Sequence, residues 1–378
     1  MTINIIIIGA DLSNSFDAGS LRVRNLFDTI LENTNYFVTN IVKFGDLSSI
    51  SKNMNFEKIP KYFRIFKIFQ IFIRIKKDKN KIVLYNYGSF NITNLDLILI
   101  AKLLHIPIVF DIVENIHIET DYPRRISILK AFINRNFEKV LHWYASGCIA
   151  ISGNLFKMIS SFSKQRYSVI HLPISVLMRE WESPMSKVNK KLIIFYGGSF
   201  GPKDGLEFLI KAFDSISSEF PTAELHLSGK GAIRHIKMTE EFINGISSKE
   251  RVKMLGTLER QDYVNKVISS DIVCVTRTNS IFANYGFPFK LGEYLAAGKA
   301  IIVSDISDVS KYLVNEVDAI IIDPESVDSI ASSLRKLLQN EAIRLEIGLN
   351  AQRKALKYFD SKKVGKDFED FLNVLLRK

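Results

Sequence analysis

Apolar positions follow two rhythms along this chain. Short unbroken runs, among them INIIIIG (3–9), KIVLYNY (81–87), IPIVFDIV (106–113), GCIAIS (147–152), YSVIHLPI (167–174), LIIFYGG (192–198), AELHLSG (223–229), DIVCVTR (271–277) and AIIVS (300–304), predict strands buried on both faces. Segments with helical spacing, such as GLEFLIKAF (205–213) and QDYVNKVISS (261–270), lie between them. The alternation runs from end to end without an internal repeat, and it predicts α/β architecture with parallel sheets covered by helices. A polar, lysine-bearing stretch around Pro184 interrupts it. The expected organisation is a first domain over 1–175, a linker over 176–190, a second domain over 191–357 and a closing helix over 358–378.

Composition changes this picture in two places. The 378 residues are 47% hydrophobic, enough for two cores without covalent staples, and Cys148 and Cys274 each sit in an apolar run and read as core thiols. Met1 to Ala10 enters the first strand without a basic region or cleavage site, and no run is long enough to span a membrane. The expected location is therefore cytoplasmic, including the inner face of the membrane. Charge is uneven: residues 1–175 hold 22 Lys and Arg against 13 Asp and Glu, and so nine of the eleven surplus charges. That half is expected to meet an anionic partner. Nucleic acid is disfavoured, because no zinc-ligand spacing, helix-turn-helix pattern or RNA-binding aromatic motif accompanies the charge.

The stretch Lys58 to Lys81 combines both features. Arg64, Lys67, Arg74 and Lys77 fall near one side of a helix, Phe63, Phe66, Phe69, Phe72 and Ile73 cover much of the rest, and Lys76, Lys79 and Lys81 extend the positive end. Such a helix suits an anionic membrane surface, the alternative being a core helix with solvated charges.

Candidate chemistry concentrates at strand ends. In NYGFPFKLGEYLAAGKAIIVSD (284–305), Gly286 and Pro288 precede a short helix whose first amides, at Gly286, Phe287 and Phe289, would be free to seat an anion. Lys290 and Glu293 share one face of that helix, Leu291 and Leu295 another, and Gly298 suits its C′ position. An ordinary helix–turn–strand joint with a solvated charge pair would show the same spacing. The loop GGSFGPKDG (197–205) and the triplet Gly229-Lys230-Gly231 allow close approach to phosphate. In the first half, the loop with Asp17 and Gly19 follows the first strand, and FDIVENIH puts Asp111, Glu114, Asn115 and His117 at a strand's carboxyl end, where they can bind hydroxyls or take a proton. Arg22 and Arg24 are either phosphate ligands or solvated residues of a first helical turn.

Residues 284–305 resemble the signature of the retaining GT-B glycosyltransferases of family 4, in which two glutamates separated by seven residues frame a nucleotide-sugar site. Glu293 falls on the second glutamate, the ribose ligand of that family; Tyr285 stands in the place of the first. Pro288, Lys290, Glu293 and Tyr294 match the P-x-K-x-x-E-Y core of relatives that lack the first acid. The resemblance implies two Rossmann-like domains facing each other across a cleft, with the terminal helix crossing back onto the first. It implies donor contacts from Ser199, Lys203, Gly229, Lys230, Leu258, Asn284, Tyr285, Gly286, Phe287, Lys290 and Glu293, and an acceptor side lined by Asp17, Gly19, Glu114 and His117, although Val113 occupies the family's usual histidine position. Relatives present an arginine and, five residues on, a lysine to the diphosphate; this chain has Ser199 and Asp204 there, with Lys203 as substitute.

The implied activity is transfer of a sugar, with retention, from a nucleotide-sugar donor to a glycan or lipid-linked acceptor in cell-surface polysaccharide or glycolipid synthesis, without metal, cofactor or protein nucleophile. Two other classes remain: a nucleotide-sugar-binding scaffold without turnover, and a dinucleotide oxidoreductase, which lacks the G-x-G-x-x-G expected after the first strand.

Overall fold

The computed structural model describes residues 2–12, 18–33, 35–42, 52–59, 62–77, 81–88, 90, 92–114, 136–182 and 191–377. Asp17 and His117 lie outside them, as do Asn115, Lys79 and most of the expected linker. The chain forms two compact units, Met1–Ser175 together with Ser361–Lys378, and Val176–Asp360.

The first unit holds β1 (Ile3–Ile8), β2 (Tyr36–Val42), β3 (Met54–Lys58), β4 (Lys81–Tyr87), β5 (Ile108–Ile112), β6 (Gly147–Ala150) and β7 (Ser168–His171). They form one parallel sheet in the order β3-β2-β1-β4-β5-β6-β7. Its helices are α1 (Ala18–Glu32), α2 (Arg64–Lys77), α3 (Leu95–Leu103), α4 (Phe137–Tyr144) and α5 (Gly153–Ser163). All six residues of β1 are buried, as an isoleucine run covered on both faces requires.

The second unit holds β8 (Leu192–Ser199), β9 (Ala223–Lys230), β10 (Val252–Met254), β11 (Ile272–Val275), β12 (Ala300–Ser304) and β13 (Ile320–Ile322), parallel in the order β10-β9-β8-β11-β12-β13. Its helices are α6 (Leu206–Ile216), α7 (Ile233–Asn244), α8 (Arg260–Ser269), α9 (Ile281–Tyr285), α10 (Phe289–Ala296), α11 (Val309–Tyr312), α12 (Val327–Gln339) and α13 (Glu341–Tyr358). Leu206, Leu209, Ile210, Phe213 and Ile216 form the apolar stripe that docks α6 on the sheet. Cys148 and Cys274 are buried free thiols in β6 and β11.

Both sheets have the doubly wound order, in which the strand sequence reverses between the first and fourth strands. Ligands of such sheets bind at the carboxyl edge beside that reversal, here between β1 and β4 and between β8 and β11.

The last helix, α14 (Ser361–Leu375), belongs to the first unit. Its Val364, Phe368, Phe371, Leu372 and Leu375 are buried, and Phe368 meets the rings of Phe27 and Tyr85 at 5.3 and 5.7 Å. Residues 176–182, expected in a linker, are instead part of the second unit. The Val176 amide donates to the Phe359 carbonyl at 2.8 Å, and Leu177 and Trp181 are buried.

Candidate functional site

The carboxyl edge of the second sheet is built around two long central strands. β8 and β9 stay paired to their ends, Ser199 opposite Lys230, because glycine lets them approach there. Gly229 has φ +152°, and a Cβ on it would lie 1.7 Å from the Gly198 carbonyl oxygen. After β8 the chain makes a 3-10 turn over Pro202–Asp204. The Ser199 hydroxyl donates to the Asp204 carboxylate at 2.6 Å, and the Gly201 amide donates to the same oxygen at 3.1 Å. The two residues standing where relatives present cations are thus bonded to each other, so the Ser199 side chain is engaged within the loop.

Gly205, at φ +60°, backs onto the end of β11, where a Cβ would come within 2.0 Å of the Thr276 carbonyl oxygen. The Thr278 amide donates to the Lys203 carbonyl at 3.0 Å, closing the loop against the next strand end. The Lys203 ammonium sits 4.3 Å from the centre of the Phe282 ring. Lys230 is exposed at the tip of β9, and Leu258 is half-buried between Gly256 and α8.

The loop before α10 corrects part of the expected anion seat. Gly286 has φ −78°, which any residue adopts, and its amide donates to the Phe282 carbonyl at 3.2 Å as the cap of α9, so it is not a free donor. The Asn284 side-chain amide donates to Asn279 Oδ1 at 2.8 Å and to the Ser280 carbonyl at 3.1 Å, while its oxygen accepts the Ser307 amide at 3.2 Å. Asn284 therefore buckles three segments together. Phe287 is buried against Tyr312 and Phe359, 5.8 and 5.9 Å between ring centres, and only its backbone is left to meet a ligand. Tyr285 is half-buried at the end of α9.

Glu293 is the most constrained ionisable group at this edge. Its side chain is 1% exposed; Oε1 accepts Arg260 Nη1 at 2.5 Å, and Oε2 accepts the Tyr263 hydroxyl at 3.2 Å and meets the Lys290 ammonium at 3.1 Å. Burial pushes its pKa up, but Lys290 and Arg260 outweigh that and hold the carboxyl below its ordinary value. Lys290 lies 3.9 Å above the Tyr263 ring, and Arg260 also pairs with Glu180 at 2.5 Å and stacks on Trp181. The adjacent Tyr294 accepts the Gly197 amide at 2.8 Å, fixing α10 to β8.

Arg260, Tyr263, Glu180 and Trp181 were not singled out from the sequence. The i,i+3 spacing exposed the Lys290–Glu293 pair, but no local signal links residues 33 or 113 positions from Glu293 in the chain.

Of the expected acceptor residues in the first unit, Gly19 and Glu114 are among the described residues. Gly19 lies in the first turn of α1, which begins at Ala18 rather than near Leu21; it is buried, and a Cβ there would come within 2.5 Å of the Tyr87 ring. The absence of a side chain there lets α1 pack against that ring. Glu114 is exposed just past β5. Arg22, a candidate phosphate ligand, is instead buried. It forks onto Asp111 at 2.9 and 3.0 Å and donates to the carbonyls of Pro173 and Leu172, and Asp111 also accepts the Tyr85 hydroxyl at 2.6 Å. Burial alone would lower the Arg22 pKa, and the Asp111 carboxylate more than offsets it, so the guanidinium stays charged. No group of three or more His, Cys, Asp or Glu able to hold a metal occurs among the described residues.

The stretch Lys58 to Lys81 holds the expected helix. It comprises the end of β3, α2 and the start of β4, with Arg64 paired to Asp96 and Arg74 to Glu57. Ile68, Ile71, Phe72 and Ile75 face the core, whereas Tyr62, Phe63, Ile65 and Phe66 are exposed.

Two parallel doubly wound units, each with its reversal point, are the architecture of the GT-B class. Residues 178–354, all within the second unit, match the family model described as Glycosyl transferases group 1. The chain is 26% identical over 179 residues to an uncharacterised glycosyltransferase of Methanocaldococcus jannaschii, a match covering 47% of this chain and 44% of that protein. It is 20% identical over 168 residues to the phosphatidyl-myo-inositol mannosyltransferase of Mycolicibacterium smegmatis, covering 44% and 41%. The match thus spans less than half the length of either relative. The structure of Anabaena Alr3699/HepE in complex with UDP-glucose superposes with a TM-score of 0.74 at 15% identity, covering 98% of this chain and 99% of that one. That likeness establishes the GT-B fold over the whole chain.

Proposed function

We propose that the chain is a retaining glycosyltransferase that moves a sugar from a nucleotide-sugar donor to the hydroxyl of a glycan or lipid-linked acceptor. The observation that carries this reading is Glu293, a carboxylate kept ionised in a buried position at the carboxyl edge of the domain that matches the group 1 family. A carboxylate offers about four acceptor positions, and three are taken by Arg260, Tyr263 and Lys290. A ribose hydroxyl takes the fourth, or displaces Lys290, which is 32% exposed. The neighbouring loops after β8, β9 and β10 receive the rest of the nucleotide. The donor's own phosphate accepts the acceptor proton, so the site supplies positioning and charge stabilisation, with neither a metal nor a protein nucleophile required.

The similarity to a mannosyltransferase named for a phosphatidylinositol acceptor, and to a fold neighbour solved with UDP-glucose, supports a donor and acceptor of these kinds. The exposed Tyr62, Phe63, Ile65 and Phe66 at the start of α2, in a half of the chain with surplus positive charge, support peripheral attachment to an anionic membrane face.

A thermal-shift series with UDP, GDP, ADP and CDP and their sugars tests the donor site. A shift with one base, lost in Glu293→Ala, is expected; no shift with any, or an equal shift in the variant, overturns the reading. The Ser199–Asp204 pair favours one alternative, a nucleotide-sugar-binding module without turnover. It predicts the same shift but no nucleoside diphosphate release in the presence of acceptor.

A further inference from the structure

The loop after β8 poses an electrostatic problem for a diphosphate. Asp204 is buried in it, satisfied by the Ser199 hydroxyl and the Gly201 amide rather than by a cation, so the charge of Lys203, the one cation of residues 197–205, is offset by a carboxylate beside it. In this strand order the crevice has a second wall, the end of β11. That wall carries Arg277, two residues beyond the strand and half-buried.

Arg277 differs from other arginines of its unit. Arg251 bonds the carbonyls of Phe220 and Ser217, Arg260 pairs with Glu180 and Glu293, Arg335 with Glu219, and Arg344 bonds the Leu337 carbonyl. The Arg277 guanidinium has no hydrogen bond or ion pair among the described residues. Its backbone is nonetheless fixed, because the flanking Thr276 hydroxyl reaches the Asp204 carbonyl at 3.4 Å and the Thr278 amide the Lys203 carbonyl at 3.0 Å. Its charge is felt at Tyr196 in β8, whose hydroxyl bonds the Ser199 carbonyl at the mouth of the same loop. Arg277 is half-buried as a residue, and its guanidinium, without a protein partner among the described residues, has its fork of donors available to an oxyanion.

We propose that Arg277 is the cation that receives the diphosphate of the nucleotide donor, placed on the β11 wall of the crevice instead of in the β8 loop. The inference rests on the donor-site reading above. It assigns Lys203 an assisting role and makes Asp204 the residue that keeps the phosphates on the β11 side.

Titration calorimetry with UDP, GDP and ADP, and with the matching nucleoside monophosphates, separates this inference from the reading it rests on. If the wild-type protein binds none of the diphosphates, both fail together. For the diphosphate it binds, Arg277→Gln is expected to raise Kd about tenfold or more while changing the monophosphate Kd less than about twofold. Arg277→Lys keeps the charge but loses the fork, so it should recover part of the loss, and it serves as the test if the glutamine variant does not fold. Unchanged diphosphate affinity in Arg277→Gln, or equal loss for mono- and diphosphate, overturns the assignment and leaves the donor-site reading standing.

Discussion

The two units share a strand order and place arginine–carboxylate contacts near their carboxyl edges, yet they use them in opposite ways. In the first, Arg22 and Asp111 are 2% and 0% exposed, and among the described residues the paired side chains bond only to each other, Tyr85 and two backbone carbonyls, sealed from solvent. In the second, Glu293 is equally buried, but Lys290 remains 32% exposed and Arg260 18%. A pair closed on all sides holds architecture. A buried acid whose cations still reach solvent holds charge in place for something that arrives.

The sharpest way to break this comparison is Asp111→Ala. It strands a buried guanidinium, and unfolding stability should fall by about 3–5 kcal/mol, read from the urea midpoint. Nucleotide binding by whatever protein stays folded should be unchanged. A stable variant would mean that Arg22 finds another partner and that the two sites are less different than they look.

Glu293→Gln should show the reverse profile. It keeps the shape and weakens three bonds, so the nucleotide diphosphate Kd should rise about tenfold or more, with a stability loss of roughly 1–3 kcal/mol. The pH dependence has a fixed sign. Because the folded pKa of Glu293 is depressed, its contribution is complete above the unfolded carboxylate value of about 4.3 and is lost as pH falls through the lower folded value. The Tm gap between wild type and Glu293→Gln should therefore be flat near neutrality and narrow only in acid. A gap that widened as pH fell would contradict the assigned charges.

The smallest effect concerns α2. Phe63→Ser with Phe66→Ser should lower binding to phosphatidylserine vesicles about tenfold in a sedimentation assay and leave Tm nearly unchanged, because both rings are exposed. Equal sedimentation would assign that surface another role.

Much of the scaffold was legible in the sequence because it depends on local rhythm. Unbroken apolar runs gave the central strands, Gly298 takes φ +64° after α10 as its C′ position asked, and the Lys290–Glu293 spacing exposed one real pair. What was not legible depends on distance along the chain. Arg22 looked like a phosphate ligand or a solvated first-turn residue, because the carboxylate it pairs with lies 89 positions away. Phe72 and Phe66 look alike in sequence, yet one is core and the other surface, because α2 is turned by contacts that periodicity does not specify. The Gly286 amide looked free to seat an anion, whereas it is claimed by the helix before it.

The placement of α14 has a consequence for how the molecule is made. Ribosomes release chains from the amino end, and Val176–Asp360 lies between the bulk of the first unit and the helix that completes it. The first unit is therefore begun first and closed last. Until Phe368, Phe371 and Leu372 emerge, the apolar face around Phe27 and Tyr85 lacks the helix that packs on it, while all the described strands of the second unit have already been made. Newly made chains thus pass through an interval with one finished half and one sticky half, and a ribosome stalled within α14 would leave that interval open.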